Sequence, residues 1–467
     1  MIFSEPRFLL FFALVFGVHW ILRGNFGRKV WLLTASLYFY GSWDWRFLGL
    51  ILGCAVVDYF CASRIRKAQE AGRKGRRWLI TSLCYDLGTL GFFKYFNFFA
   101  DSGVDFLNWL GIPADPVTLQ IVLPVGISFF TFQAMSYTID VYRENLRPAP
   151  HFLDFVLFVT FFPQLVAGPI VRASEFLPQL QKKNSFKDVD VHLAFGQFLS
   201  GFVKKAVIAD LIAGPVDAVF SAPAEYTAFS IAIAVLCYAI QIYCDFSGYS
   251  DMAIGTARLL GYELTKNFNF PYLATSITDF WRRWHISLSS WLRDYVYISL
   301  GGNRASEWKT HRNLLLTMLL GGLWHGAAWN FVLWGGVHGV ALSVHRLWQR
   351  LASPGSSVAG QLAGWLSTLA FVVAALVLFR AGDLGTAAAV FRSMAGVGGG
   401  GAESLVPSTG VLVAGFFAAH FAAYRLRSLA FLDTSPRWSV AVGCGVVLAV
   451  AYALSPIEHV PFIYFQF

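Results

Sequence analysis

Long apolar stretches alternate with short polar segments along almost the whole chain. A helix that crosses a bilayer needs roughly 20 mainly apolar residues, and fewer where the bilayer thins. The stretches lack the alternating pattern of barrel strands, so they predict helices. The candidate segments are Phe8–Leu22, Val30–Tyr40, Phe47–Ala62, Trp78–Ala100, 119–138, 152–166, 191–212, 226–244, 313–334, 335–348, 362–379, 408–424 and 438–454. Because several contain proline or glycine and are expected to be re-entrant or interfacial, we predict an all-α fold with about eleven transmembrane helices.

The composition excludes two other classes of protein. Hydrophobic residues make up 56% of the 467 residues, and charged residues only 13%. A soluble domain has about 25% charged residues, which it needs to cover its surface. Intrinsic disorder is excluded because 17% of the residues are aromatic. We therefore predict a polytopic membrane protein, and since no domain boundary is evident, residues 1–467 are expected to form a single domain.

The positive charge is concentrated in one place. Seven cations lie between Arg64 and Arg77, and a short basic loop between apolar segments marks the cytoplasmic side of a membrane. Arg23, Arg28 and Lys29 follow the first segment, so the N-terminus is predicted on the opposite side. That side also receives a loop with three carboxylates: Asp101, Asp105 and Asp115. The flanking membrane segments argue against a nucleic-acid site.

The segment from Thr265 to Arg312 interrupts this pattern because it is too polar to span a membrane. It carries three tryptophans with three arginines beside them: Trp281, Trp284, Trp291, Arg282, Arg283 and Arg293. Aromatic rings beside cations are typical of the membrane interface, so an amphipathic surface helix is one prediction. That prediction does not explain why His285 lies in the most aromatic part of the segment.

His325 lies in an otherwise almost purely apolar stretch. An ionisable group in hydrocarbon is costly and is expected to face a cavity or a partner. Small residues surround it and would let another backbone or a ligand approach: Gly321, Gly322, Gly326, Ala327 and Ala328. Trp324, Trp329 and Trp334 are expected to wall such a space. The alternative is a hydrogen-bonded packing histidine, and His338 is a weaker candidate of the same kind.

A buried imidazole fits general-base chemistry, since loss of water disfavours its cation. Such a base can take a proton from a hydroxyl that attacks an acyl carbonyl. The chain has no GxSxG or HExxH motif, and none of its ten histidines is followed four or five residues later by Asp. We predict no metal site, because His285 and His325 lack further ligands. Asp245 and Asp251 follow an apolar segment and are either cavity-lining or interface residues.

Several motifs of the chain resemble the membrane-bound O-acyltransferase (MBOAT) family, in particular its bacterial alginate O-acetyltransferase branch. They are Tyr243–Gly255, Asn267–Tyr272, Phe280–Tyr297, Gly301–Arg304, Gly322–Gly339, the LVAGPIVR stretch and the closing Pro461–Phe467. The resemblance implies that His325, in WHG, is the catalytic histidine. It also implies that His285, in RRWHISLS, holds a second functional position, which is Asn or His across the family.

The resemblance further implies a many-helix fold around a central tunnel in the bacterial inner membrane, with a periplasmic N-terminus. Acetyl-CoA, or another cytosolic acyl thioester, would be the donor substrate, and no permanently bound cofactor is expected. The acceptor would be an exported polysaccharide of the alginate, cellulose or peptidoglycan type, with a periplasmic acetyltransferase as partner. Candidate substrate-binding or tunnel-lining residues are Arg282, Arg283, Trp284, Ser289, Asp245, Trp324 and Asn330.

Three alternatives stay open at the level of the sequence. The acceptor could be teichoic acid, a lipid or a protein side chain. The protein could be a transporter in which His325 and His285 relay protons, although we find no internal half-repeat. It could also be a scaffold without catalysis, but both histidines are present.

Overall fold

The protein is helical throughout the part of the chain that the computed structural model describes. The described residues are 1, 3–304, 306–351, 357–397, 401–426, 437–455 and 462–463. Within these ranges there is no β-strand, and one isolated bridge joins Tyr226 to Glu403. The all-α class predicted from the hydrophobic pattern is confirmed.

Residues 1–191 and 253–265 form a first compact unit. Its described helices are α1 (Pro6–Ile21), α2 (Asn25–Asp44), α3 (Leu48–Glu70), α4 (Arg76–Leu90), α5 (Phe96–Trp109), α6 (Ile127–Tyr142), α7 (Phe152–Thr160), α8 (Phe162–Leu165) and α9 (Ala173–Gln181). Helices α3, α4 and α6 pack against one another. A buried ion pair of 2.6 Å between Lys29 and Asp154 joins α2 to α7. Lys29 is therefore a buried structural residue and not a solvent-exposed cation at the end of a helix.

Residues 192–252 and 266–467 form a second unit. Its described helices are α10 (Val191–Phe202), α11 (Asp210–Ser221), α12 (Ala228–Leu259), α13 (Ile277–Arg283), α14 (Ile286–Trp291), α15 (Glu307–His325), α16 (Trp329–Leu351), α17 (Val358–Arg380), α18 (Leu384–Met394), α19 (Pro407–Leu426) and α20 (Arg437–Leu454). Helix α12 belongs to this unit up to Met252, and its last residues belong to the first unit. Both histidines singled out in the sequence lie in the second unit.

Four helical stretches among the described residues are long and apolar enough to cross a membrane. They are Asn25–Glu70, which comprises α2 and α3, together with Ala228–Leu259, Val358–Arg380 and Pro407–Leu426. Pro6–Ile21 and Ala441–Leu454 are shorter apolar helices. These helices support a multi-pass membrane protein, and the total of about eleven spans stays a prediction.

Helix α12 is longer than the predicted segment 226–244. Asp245 and Asp251 therefore lie inside the helix, and the expectation that they follow a span is wrong. Each carboxylate has a cation beside it. Lys205 lies 2.7 Å from Asp245, and Lys204 pairs with Asp251. Because these pairs compensate the two carboxylates, the helix continues through a stretch whose polarity predicted its end.

The basic segment and the acidic loop are both more helical than expected. Helix α3 continues to Glu70, so the connection to α4 is a short turn that contains Gly72 and Gly75, both with positive φ. Three of the seven cations, Arg64, Arg66 and Lys67, consequently lie on the helix. On the other connection, Asp101 and Asp105 lie on α5, and Asp115 alone of the three lies in the irregular segment before α6.

The polar segment 265–312 is not one amphipathic surface helix. It folds as α13, α14 and a π-helical turn at Leu292–Tyr297. Trp284 and Trp291 are buried, whereas Arg282 is exposed. The interfacial prediction fails because these rings pack inside the protein.

Helices α15 and α16 form a tight antiparallel hairpin with its break at residues 326–328, and not between 334 and 335 as the apolar pattern indicated. A Cβ on Gly322 would lie 2.2 Å from the carbonyl oxygen of Phe331, and one on Gly335 would lie 2.2 Å from that of Met318. The small residues near His325 therefore serve the close approach of two helix backbones. This contact fixes where α15 ends, and α15 ends at His325.

Candidate active site

His325 is enclosed by aromatic rings at the C-terminal end of α15. Its side chain is buried, with 3% of the residue exposed. Its ring centroid lies 5.1 Å from that of Trp324, 5.1 Å from that of Trp334 and 5.2 Å from that of Phe379. Both Trp324 and Trp334 contact the imidazole, whereas Trp329 is 57% exposed, so its predicted place in the wall is wrong.

A narrow cavity adjoins His325. Its lining residues come from α12, α13, α15, α16, α17 and the two connections that flank α13: Ile242, Tyr272, Phe280, Trp284, His325, Trp334, His338, Val372, Leu376 and Phe379. The cavity has room for about one water molecule, so a group that enters it contacts the walls on every side. His325 and His338 are the two titratable side chains in this lining apart from the hydroxyl of Tyr272.

His285 lies beside His325 although 40 residues separate them in the chain. Their ring centroids are 6.4 Å apart, and Trp324 lies 5.7 Å from His285. His285 is fully buried, and Phe246 packs edge-on against it at 4.6 Å. It occupies the position before α14 with a left-handed backbone, at φ 43° and ψ 55°. The fold therefore brings together the two histidines that the sequence analysis singled out.

Asn267 orients the imidazole of His285. The backbone N–H of Ser287 donates to Oδ1 of Asn267 at 3.3 Å, which identifies that atom as the amide oxygen, and the Ser287 hydroxyl donates to it at 2.9 Å. Nδ1 of His285 lies 3.2 Å from the same oxygen and must carry the proton. On the other side, the Asn267 amide donates to the hydroxyl of Ser250 at 3.2 Å. In its neutral form, His285 therefore keeps its lone pair on Nε2.

The sequence model of one family matches this region. The membrane-bound O-acyltransferase model covers residues 129–379, which include His285, His325 and the whole cavity lining. The chain belongs to the membrane-bound O-acyltransferase family. The resemblance found in the motifs is thereby confirmed, and the protein is a membrane O-acyltransferase.

Two relatives extend the match over most of the chain, and a third covers about half of it. A probable alginate O-acetylase of Pseudomonas aeruginosa is 44% identical over 396 residues, which are 84% of this chain and 75% of the relative. A peptidoglycan O-acetyltransferase of Helicobacter pylori is 40% identical over 430 residues, 85% of this chain and 80% of the relative. A teichoic acid D-alanyltransferase of Bacillus subtilis is 27% identical over 241 residues, 48% of this chain and 60% of the relative.

Two of the other candidate residues lie close to His285 and His325. Trp284 lines the cavity and stacks on Phe280 at 5.6 Å. Trp324 lies between the two imidazoles, 5.7 Å from His285 and 5.1 Å from His325. Both tryptophans are buried. They shape the space around the histidines through their rings.

The remaining polar candidates have other contacts. Arg283 donates to Asp279 at 2.9 Å; burial alone would lower the pKa of its guanidinium, but these hydrogen bonds raise it. The Ser289 hydroxyl donates to the backbone oxygen of Trp284, and the Asn330 amide donates to that of Ala381. Asp245 pairs with Lys205. None of Arg283, Ser289, Asn330 and Asp245 is in the cavity lining, and Arg282 is exposed at the surface.

Two features near the histidines are not predicted from the sequence: the contact of Asn267 with His285 and the contribution of α17 to the cavity. Asn267 lies in a quoted motif, but a side-chain amide in a polar segment carries no signal of its own. Val372, Leu376 and Phe379 line the cavity from a helix whose apolar positions are typical of any membrane span. No group of three His, Cys, Asp or Glu side chains that could hold a metal occurs among the described residues. Of the closing motif Pro461–Phe467, the described part is limited to Phe462 and Ile463.

Proposed function

We propose that this O-acyltransferase moves an acetyl group from a cytosolic thioester to hydroxyls of an exported polysaccharide. One observation carries the proposal: His325 lines a buried aromatic cavity, and His285 lies 6.4 Å from it, ring centre to ring centre. Two relatives bear names for acetyl transfer to alginate and to peptidoglycan, which are both polysaccharide-containing polymers outside the cytoplasm. These names support the class of acceptor.

In the proposed reaction, His325 is the general base. It takes the proton of the acceptor hydroxyl while that oxygen forms a bond to the thioester carbonyl carbon. The carbon–sulfur bond then breaks, and the imidazolium returns the proton to the leaving thiolate. Base catalysis contributes about 10²–10⁴-fold, so positioning in the narrow cavity must supply much of the remaining acceleration.

His285 has a positioning role in this proposal. With Nδ1 donating to Asn267, the neutral ring offers a lone pair at Nε2 and has no second N–H. It can therefore accept a hydrogen bond from a hydroxyl group, but it cannot donate one to a carbonyl. Orientation of the acceptor hydroxyl fits this tautomer, and polarisation of the acyl carbonyl does not.

The donor is proposed to be acetyl-CoA, which enters from the cytoplasm. Arg282 has an exposed side chain and lies three residues before His285 in the same motif, so it is our candidate contact for the donor phosphates. Arg283 is a poorer candidate, because Asp279 already balances its charge. Trp284 and Trp324 are proposed to line the path of the acyl group.

The remaining parts of the proposal concern the protein as a whole. Residues 1–467 act as one domain in the bacterial inner membrane, with about eleven spans around a central tunnel and a periplasmic N-terminus. The family match supports one domain, since residues 129–379 include parts of both compact units. A periplasmic acetyltransferase is proposed to receive the acetyl group or to complete its transfer to the polymer.

The test replaces His325 by Ala and by Gln in the full-length protein and measures glycan acetylation by inverted membrane vesicles supplied with labelled acetyl-CoA. We expect a loss of at least about 10²-fold with normal membrane assembly. His151→Ala is the matched control, because this histidine is exposed and lies in the first unit. Retained acetylation in both His325 variants contradicts the proposal, and so does proton transport without any acyl transfer.

A different acyl group is the second candidate, because the Bacillus subtilis relative is named for D-alanyl transfer to teichoic acid. The same His325 chemistry applies to a D-alanyl thioester. Competition between labelled acetyl and D-alanyl donors in the same vesicles distinguishes the two. We expect acetyl transfer, since the relatives at 40% identity or more named above are acetylating proteins.

A further inference from the structure

The proposed reaction needs a hydrogen-bond donor that neither histidine provides. When the hydroxyl oxygen attacks, negative charge develops on the carbonyl oxygen of the acyl group, and a donor aimed at that oxygen lowers the barrier. His325 starts the step as a base without a proton on its attacking nitrogen. Neutral His285 has its proton on Nδ1, which is directed to Asn267. The donor must therefore come from another side chain of the cavity or from a backbone N–H.

Trp334 has a buried donor without a partner. Its side chain is 3% exposed, and its Nε1 makes no hydrogen bond to any residue that the structure describes. Buried tryptophan N–H groups usually have a hydrogen-bond partner, since a buried donor without one has lost its hydrogen bond to water and gained none in return. An indole can only donate, so the missing partner is an acceptor.

The indole of Trp334 also lies in the cavity beside His325, where the acyl group is proposed to react. Trp334 lines the cavity, with its centroid 5.1 Å from that of His325 and 4.6 Å from that of His338. Its plane is almost perpendicular to that of His325, at 89°. Because the cavity is narrow, an acyl group that reaches His325 also contacts Trp334.

The backbone around Trp334 fixes this position. Gly335 follows it, and a Cβ there would come within 2.2 Å of the carbonyl oxygen of Met318. The contact between Gly322 and Gly335 therefore sets the register of α16 against α15, which carries His325. A donor held by two packed helix backbones is preorganised, as stabilisation of a developing charge requires.

We propose that the indole N–H of Trp334 donates a hydrogen bond to the carbonyl oxygen of the acyl group and stabilises the negative charge on it. As the acceptor oxygen bonds to the carbonyl carbon, the π electrons of the C=O bond move to the carbonyl oxygen, and the hydroxyl proton goes to His325. When the C=O bond re-forms, the C–S bond breaks and the thiolate takes the proton back from the imidazolium. This inference rests on the proposed function and adds a catalytic residue to it.

The experiment replaces Trp334 by Phe, which removes the N–H, and separately by 3-benzothienylalanine, which keeps the shape of the indole with sulfur in place of N–H. Acetyl transfer from labelled acetyl-CoA is measured as kcat and KM. Removal of one donor to a developing oxyanion lowers kcat by about 10²–10³-fold. We expect that loss in both variants, with KM for acetyl-CoA within about threefold of wild type because the ground-state carbonyl bears little charge.

Trp281→Phe is the matched control. Its Nε1 is also buried without a partner among the described residues, but Trp281 is absent from the cavity lining. It lies 5.8 Å from Trp334, so its replacement disturbs the same aromatic cluster. We expect kcat to stay within about threefold of wild type, since this N–H does not reach the acyl group.

The outcomes separate this inference from the proposed function. If His325→Ala is inactive but the benzothienylalanine variant at 334 keeps wild-type kcat, the Trp334 inference is overturned and the function stands. If His325→Ala is active, the proposed function itself fails. An equal loss in Trp281→Phe and Trp334→Phe assigns the effect to packing of the cluster and overturns the inference.

Discussion

Asn267 and His285 are joined by a hydrogen bond of 3.2 Å between the amide oxygen and Nδ1 of the imidazole. The amide also connects this histidine to α12, because it donates to Ser250. One buried side chain thus determines which nitrogen of His285 carries its proton. Asn267 does not line the cavity, so the role we propose for it is to position His285.

Replacement of Asn267 by Ala should reduce acyl transfer more than it reduces stability. It leaves Nδ1–H of His285 without its acceptor, at a cost of about 1–3 kcal/mol, and releases the ring from its tautomer. Ser250→Ala removes the hydrogen bond at the other end of Asn267 and leaves His285 oriented. Melting temperature in detergent and kcat are measured for both. Equal kcat values in two variants of equal stability would contradict a positioning role.

A methyl group added at the contact between α15 and α16 should destabilise the protein and displace His325. Gly322→Ala places a Cβ 2.2 Å from the carbonyl oxygen of Phe331, so the helices must separate and His325 must move. Overpacking of this kind costs about 1–3 kcal/mol or more. In the control Gly336→Ala, the new Cβ lies 3.4 Å from a side-chain atom of Leu319, an ordinary contact. Gly322→Ala should therefore have a lower melting temperature and a lower rate of acetyl transfer than Gly336→Ala.

Loss of the Lys205 charge should lower the free energy of unfolding more than loss of the Asp245 charge. Lys205 lies 2.8 Å from Asp210 and 2.7 Å from Asp245, and all three side chains are buried. Lys205→Met removes the cation that pairs with both carboxylates, and breaking a buried ion pair costs about 3–5 kcal/mol. Asp245→Asn leaves Lys205 paired with Asp210 and keeps an oxygen for the N–H of Ile463. Unfolding in detergent should rank Lys205→Met as the less stable variant.

Replacement of Arg282 and replacement of Arg283 should have different effects on KM for acetyl-CoA. Arg282→Ala removes an exposed charge, and such contacts are worth about 0–1 kcal/mol, so KM for acetyl-CoA should rise by at most about fivefold without a change in kcat. The rise should disappear at high salt. Arg283→Ala breaks an ion pair within α13 and should leave KM unchanged. The reverse order of KM values would reassign the donor contact to Arg283.

The hydrophobic pattern of the sequence is sufficient to predict the all-α class and to predict that His325 faces a cavity. An apolar pattern without alternation gives helices, because a membrane leaves backbone groups no other partner. His325 stands out for the same reason, since it is an ionisable residue in a hydrocarbon-like stretch. The family resemblance added His285.

Contacts between residues far apart in the chain are what the sequence could not supply. Helix α12 ends later than predicted because Asp245 and Asp251 find their partners, Lys205 and Lys204, in the segment 203–209. The contact of Arg283 is different, because its partner Asp279 lies only four residues earlier on α13. Trp329 and Trp334 look alike in the sequence, yet one is exposed and the other lines the cavity, because the turn after His325 sets the direction in which each ring points.

The left-handed backbone at His285 constrains which amino acids this position can hold. At φ 43°, most side chains collide with their own backbone, and among residues with a side chain, Asn, Asp and His are the most tolerant. The resemblance to the family implies Asn or His there. The bend of the main chain alone therefore restricts this position to a small set of side chains, and the two that the resemblance implies, Asn and His, both belong to that set.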